Sequence, residues 1–164
     1  MLRPALSLRQ IEPADDAAMA RIIRSVMPEF GAVGDGYAIL DPEVDAMSAA
    51  YAAPRNAYWV VCREGIVVGG GGYGPLAGGD ANTAELRKMY FLREARGLGA
   101  GKALLTQCLQ GAISDGFRRM YLETLQHMDA AQALYERFGF RRLSEARGCT
   151  GHFGCNAWYE KELT

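Results

Sequence analysis

The sequence predicts an α/β (α+β) fold, a mixed central sheet of six or seven strands with helices on both faces. Three observations carry this. The apolar periodicities follow the order β-α-α-β-β-β-α-β-α-β-β along the chain. Residues 57–73 carry a hairpin signal, two β-rich runs around Glu64-Gly65. From residue 85 to 124 a strand, a long helix and another strand succeed one another, so a crossover joins the hairpins in one mixed sheet.

Residues 6–11 alternate apolar and polar, with Leu6, Leu8 and Gln10 on one face. Asp15 or Asp16 caps a helix that runs to about Met27 before Pro28 stops it. Gly31, Gly34, Asp35 and Gly36 mark a loop. Asp41-Pro42-Glu43 is a helix start, since Asp accepts from free amides, Pro suits the first helical position and Glu favours the positive end of the dipole. Val44, Met47, Ser48 and Tyr51 continue that helix to Pro54. Strands follow at 57–63 and 66–73, and the run Gly69-Gly70-Gly71-Gly72 implies close approach of another backbone or a ligand. Residues 85–92 form a strand. Helix 98–116 has the apolar stripe Leu98, Gly101, Leu105, Cys108, Leu109, Ala112 and Ile113. Then come strand 119–124, helix 128–138 ended by Gly139, strand 140–145 and strand 156–163.

The length of 164 residues fits one domain, taken as 1–164. The formal charge of -1 offers no basic excess to neutralise phosphates, so no nucleic-acid partner is expected. The N-terminus Met-Leu-Arg-Pro-Ala-Leu-Ser-Leu lacks an apolar leader core, and no apolar run approaches the roughly 18 residues of a membrane span. The expectation is a cytoplasmic protein without a membrane partner. Cys62 and Cys108 lie in apolar runs and read as buried hydrophobes. Cys149 and Cys155 bracket His152, one ligand short of a closed zinc site, and no metal is expected.

The turn Arg96-Gly97-Leu98-Gly99-Ala100-Gly101-Lys102 carries most of the functional information. The first amides of a helix lack internal partners and sit at the positive end of its dipole, and glycines let an anion approach them. The spacing excludes two common phosphate loops. Five residues before Gly101 stands Arg96 rather than Gly, and Ala103 follows Lys102 where a P-loop needs Ser or Thr. A dinucleotide fingerprint starting at Gly97 needs Gly at 102, which is Lys. The pattern that remains, [RQ]-x-x-G-x-[GA], resembles the pyrophosphate loop of the GNAT N-acetyltransferases. Glu85-Leu86-Arg87-Lys88-Met89-Tyr90-Phe91-Leu92 resembles the family's central strand, and Tyr121-Leu122-Glu123-Thr124 its next strand. Ala131 through Leu134-Tyr135-Glu136-Arg137-Phe138-Gly139-Phe140 resembles its A-x-x-L-Y-x-x-x-G-F segment.

The resemblance implies a GNAT fold, a mostly antiparallel sheet in which one parallel strand pair splays apart. It implies acetyl-CoA as donor, and an acyltransferase that moves the acetyl group to a primary amine, of a small molecule or a protein, in a ternary complex. The backbone of Met89 and Phe91, with Tyr90 between them, is expected along the pantetheine arm. The amides of Gly97, Leu98, Gly99, Ala100, Gly101 and Lys102 are expected at the pyrophosphate, with Arg96 as a forked donor. Tyr135 is the candidate acid and Glu85 the candidate base, with Glu123 as the alternative base. Met128 stands where many relatives carry Asn. The acceptor is expected between residues 29–37 and 148–156, with Glu29, Asp35 and Asp41 available to attract a cation and His152 to line the pocket. His127 reads as structural. A homodimer is compatible with the family. The rival readings are a non-catalytic acyl-CoA sensor and a nucleotide-binding protein.

Overall fold

The computed structural model describes residues 6–163; the leader reading of the N-terminus falls, from Met1 to Ala5, outside the described residues. Seven strands form one sheet in the order β1-β2-β3-β4-β5-β7-β6. The strands are β1 (Leu6–Gln10), β2 (Ala57–Arg63), β3 (Ile66–Pro75), β4 (Thr83–Phe91), β5 (Arg119–Thr124), β6 (Arg141–Leu143) and β7 (Ala157–Glu162). Every neighbouring pair is antiparallel except β4 and β5.

Four α-helices cover the sheet: α1 (Asp16–Glu29), α2 (Met47–Ala50), α3 (Ala100–Ser114) and α4 (Asp129–Arg137). Helices α3 and α4 pack with Trp59, Val61, Leu86 and Leu122 on one face. Helix α1 and the segment carrying α2 bury Ile23, Val44 and Met47 against Tyr58 and Val60 on the other. The alternation of Tyr58 and Val60 with Trp59 and Val61 is the period-two signature of a strand buried on both faces. Cys62 and Cys108 are buried in the two cores, as their apolar context predicts.

Several expectations need correction. The long second helix from Asp41 to Pro54 does not form. A 3-10 turn (Pro42–Asp45) ends at Ala46, with φ -143°, and α2 is a single turn. Asp41 stands at the cap position, yet its side chain caps no amide, being engaged elsewhere. Pro28 does not stop α1 but lies in its last turn. The buried stripe of α3 contains Leu104, whereas Ile113 is exposed. The four glycines of β3 face neighbouring strands and α3. A Cβ at Gly70 or Gly72 would strike the Tyr58 ring, and one at Gly71 would meet Leu104 and Met89.

Two features of β4 shape the site. First, β4 and β5 pair only from Thr83↔Arg119 to Glu85↔Tyr121, so the pair opens beyond Glu85. Second, the β3–β4 register shifts between Gly70 and Gly72, where Lys88 takes φ +49°. Such a bulge inserts one residue and flips the alternation. Ala84 and Leu86 face the α3 core, and so do Met89 and Phe91, although 86 and 89 differ by an odd step. Arg87 and Lys88 are thereby both released to the α1 side. The Tyr58 hydroxyl donates to the Lys88 carbonyl at 2.7 Å and fixes the bulge.

Candidate active site

The opening between β4 and β5 leads to a groove of about 720 Å³ lined by Met89, Tyr90 and Phe91 on one side and α4 on the other. The 96–102 turn closes one end. Gly97 (φ +75°) and Gly99 (φ +84°) both adopt the left-handed region, which a Cβ disfavours. The first amide bond of α3 runs from Ala103 N–H to the Gly99 carbonyl at 3.0 Å. Among the described residues, no amide from 97 to 102 has a backbone partner. A row of free N–H donors at a helix start, facing an open groove, is an anion cradle. No Cβ contact would arise at Gly97 or Gly99, so this space is open to a ligand.

Arg96 is held at the groove edge. Its Nε and Nη2 donate to the Phe91 carbonyl at 3.0 and 2.8 Å, and Nη2 also reaches Glu29 Oε2 at 2.8 Å. The guanidinium ties the end of β4 to the end of α1. Glu29, named above as a possible attractant for the amine, is thus committed to Arg96 and Arg93. Asp35 is exposed on its loop.

A second, smaller chamber of about 70 Å³ lies on the α1 side of the sheet and meets the groove at Phe30, Met89, Tyr90, Met128 and Tyr135. Tyr135, from α4, is the junction. Its ring is buried against Phe140 and Tyr159, at centroid distances of 5.9 and 6.1 Å. Among the described residues its hydroxyl has no hydrogen-bond partner, yet it lines both cavities. Burial holds its pKa above the ordinary value of 10, so the phenol keeps its proton.

Glu85, Glu123 and His152 bring ligand-type atoms within 4.8 Å of one another in this chamber. Glu85 is 5% exposed, and burial raises its pKa above 4.5 despite Arg87, whose Nε donates to Oε1 at 2.9 Å. Glu123 accepts from Tyr121 Oη at 2.7 Å and Thr150 Oγ1 at 2.5 Å. His152 Nε2 lies 3.0 Å from Asp41 Oδ2, and its Nδ1 lies 3.6 Å from Glu123 Oε1. Hydrogen bonding to Asp41 and then Glu123 raises its pKa to about 9, which makes it a cation at neutral pH. Lys88, its side chain 2% exposed, donates to Asp41 Oδ2 at 2.8 Å and to Glu43. Asp41 therefore links the bulge of β4 to the β6–β7 loop. Cys155 lines the chamber too, its thiol pushed up to about 12 by burial. His152 brings its ring nitrogens to the two glutamates; of the cysteines that bracket it in sequence, Cys155 shares the chamber and Cys149 is exposed. His127 contacts the Phe30 carbonyl at 2.6 Å, in keeping with a structural role.

Of the residues that the sequence singles out, Glu85, Glu123, His152 and Tyr135 line one chamber, and Asp41 stands behind His152 and Lys88. Sequence reasoning missed Arg87 and Lys88. Strand alternation places Glu85 and Arg87 on one face and was readable; the bulge that adds Lys88 leaves no residue signature.

A seven-stranded sheet whose one parallel pair opens beside a glycine-lined helix start, with a tyrosine between groove and chamber, is the arrangement that the resemblance to GNAT acyltransferases implies. The model of the acetyltransferase (GNAT) family matches residues 19–140, and the chain belongs to that family. It is 45% identical over 157 residues to the N-acetyltransferase YjgM of Escherichia coli K12, covering 95% of this chain and 94% of that one. It is 33% identical over 112 residues to the N-acetylaspartate synthetase of Danio rerio, covering 68% of this chain and 39% of that one. The fold is shared with a GNAT acetyltransferase of Staphylococcus aureus Mu50 (TM-score 0.82, 21% identity, 98% and 100% of the chains covered). An acetyltransferase of Salmonella typhimurium, solved with its cofactor acetyl-CoA, also shares it (TM-score 0.78, 22% identity, 98% and 95% covered). GNAT acetyltransferases use acetyl-CoA as donor.

Proposed function

We propose that this chain transfers an acetyl group from acetyl-CoA to a primary amine by direct attack in a ternary complex. The observation that carries this is the position of Tyr135, whose unpartnered hydroxyl stands between an anion-cradling groove and a carboxylate-lined chamber. The groove suits the extended coenzyme, with the free amides of 97–102 at the pyrophosphate and the unpaired edge of β4, from Met89 through Tyr90 to Phe91, along the pantetheine. Arg96 acts by holding the end of β4 in place.

The amine must lose a proton before its lone pair can attack the thioester carbonyl. Glu85 takes that proton, directly or through one water. Its raised pKa makes it a better base than an ordinary surface carboxylate. The new C–N bond forms and the C–S bond breaks as the leaving sulfur receives the Tyr135 proton, and the attacking nitrogen gives its second proton to water as the amide forms. Proton return to Tyr135 from solvent or from Glu85 completes the cycle. Glu123 is already held by Tyr121 and Thr150, which favours Glu85 as the base and gives Glu123 a charge-placing role. No helix of the described chain is long and apolar enough to cross a membrane.

The test is thermal unfolding with acetyl-CoA, with ATP and NAD as controls, followed by thiol release with amines. Ligand at about 100 times Kd adds roughly 2.7 kcal/mol. A rise with acetyl-CoA and not with the controls is expected. No rise at millimolar acetyl-CoA would overturn the reading.

A further inference from the structure

The chamber behind Tyr135 constrains the acceptor in size and in charge. Its volume, about 70 Å³, is an order of magnitude below the 720 Å³ of the groove. The segment after α1 and the β6–β7 loop meet over it. The Gly154 amide donates to the Gly36 carbonyl at 2.9 Å, and His152 pairs with Asp41. The rings of Phe153 and Tyr37 lie so close to Gly36 and Gly154 that neither glycine has room for a Cβ. A polypeptide acceptor needs an open trough for its flanking residues, and here two loops are clasped across that route.

The charges in the wall are specific. Lys88 and His152 face the chamber, but each is neutralised from behind, Lys88 by Glu43 and His152 by Asp41. Arg87 is neutralised by Glu85. Glu123 remains, 5% exposed at its side chain, held by two neutral hydroxyls and facing the His152 ring at 3.6 Å. The wall thus carries one carboxylate in excess. An ammonium entering the chamber balances it, because like charges in a desolvated site are costly and opposite ones are favoured. A zwitterion leaves the excess uncompensated and adds a carboxylate whose only available cations are already paired.

We infer that the acceptor is a small primary amine with one positive charge and no carboxylate, received as its ammonium beside Glu123, Glu85 and His152. This rests on the acetyl-transfer reading above.

The experiment uses the full chain saturated with acetyl-CoA and follows thiol release. Amines are offered in matched pairs: ethanolamine against serine, and phenethylamine against phenylalanine. Aspartate and an alanine-initiated peptide complete the panel. In each pair that turns over, the carboxylate-free member is expected to have a kcat/KM higher by about tenfold or more. Glu123→Gln removes the surplus charge and should bring that ratio down toward one, while the acetyl-CoA-induced rise in melting temperature persists. A preference for serine, phenylalanine, aspartate or the peptide overturns the inference. So does an unchanged ratio in Glu123→Gln, or turnover of no panel amine by protein that acetyl-CoA does stabilise. Absence of any stabilisation by acetyl-CoA is a separate result and sinks the acetyl-transfer reading itself.

Discussion

Replacing Tyr135 by Phe separates catalysis from packing at the residue where groove and chamber meet. The substitution keeps the ring that packs on Phe140 and Tyr159 and removes one oxygen. That oxygen has no hydrogen-bond partner among the described residues, so no donor or acceptor is orphaned by its loss. A buried, unpaired hydroxyl costs the fold about 1 kcal/mol or more, and its removal is therefore neutral to slightly stabilising. For a domain of this size about 1 kcal/mol corresponds to a melting-temperature change of roughly 2–4 °C. The rate should respond oppositely. Loss of a general acid lowers kcat by about 10²–10⁴-fold, which is roughly 2.7–5.5 kcal/mol of barrier. The KM for acetyl-CoA should stay within about twofold, because the ring surface along the groove is unchanged. Stopped thiol-release assays and calorimetric melting on the same preparation measure all three quantities. Wild-type kcat in Tyr135→Phe would refute the acid role and leave Tyr135 as core. A fall in kcat matched by a fall in melting temperature would refute the claim that the hydroxyl is structurally idle.

Glu85→Gln should remove the acid limb of the kcat/KM profile and lower the plateau by about 10²–10⁴-fold; in the wild type that limb lies above the ordinary 4.5, since burial raises the pKa. Gly99→Ala forces a Cβ onto φ +84°, costing about 1–2 kcal/mol in melting experiments, and should raise the KM for acetyl-CoA more than it lowers kcat. The His152–Asp41 pair gives a pH-dependent stability. A folded-state pKa of about 9 against 6.5 unfolded means that its contribution is full below about pH 6.5 and is lost as pH rises through about 9. Wild type should therefore lose more melting temperature than His152→Gln between those pH values, and equal losses would argue against the pair.

Much of this protein is legible along the chain. The order of seven strands, the helix opening on the glycine turn (expected from Leu98, observed from Ala100), and the glycine turn that excludes a P-loop and a dinucleotide fingerprint all follow from local periodicity and spacing. So does the placing of Tyr135 and Glu85 as candidates, through the resemblance of their flanking segments. These features are fixed within a few residues, by the twofold and 3.6-fold repeats of side chains and by backbone conformations that only glycine adopts easily. What tertiary structure alone decided involves partners far apart in sequence. Asp41 reads locally as a helix cap, but Lys88, 47 residues away, and His152, 111 away, claim its carboxylate. The long helix expected after it breaks into a 3-10 turn and a single α-turn. Ion pairs with buried partners and the packing of Val44 and Met47 outweigh a propensity worth only tenths of a kcal/mol per residue. Arg96 reads as a phosphate donor, and the structure adds a second engagement: its Nε and Nη2 are taken by the carbonyl of Phe91 and the carboxylate of Glu29, while it still lines the groove. The bulge at Lys88 is the clearest case. No residue in β4 announces it, because the extra residue is set by the pairing register with β3 and by the Tyr58 hydroxyl from a third strand. That one inserted residue turns Lys88 to the chamber side of the sheet, where it pairs with Asp41 and Glu43.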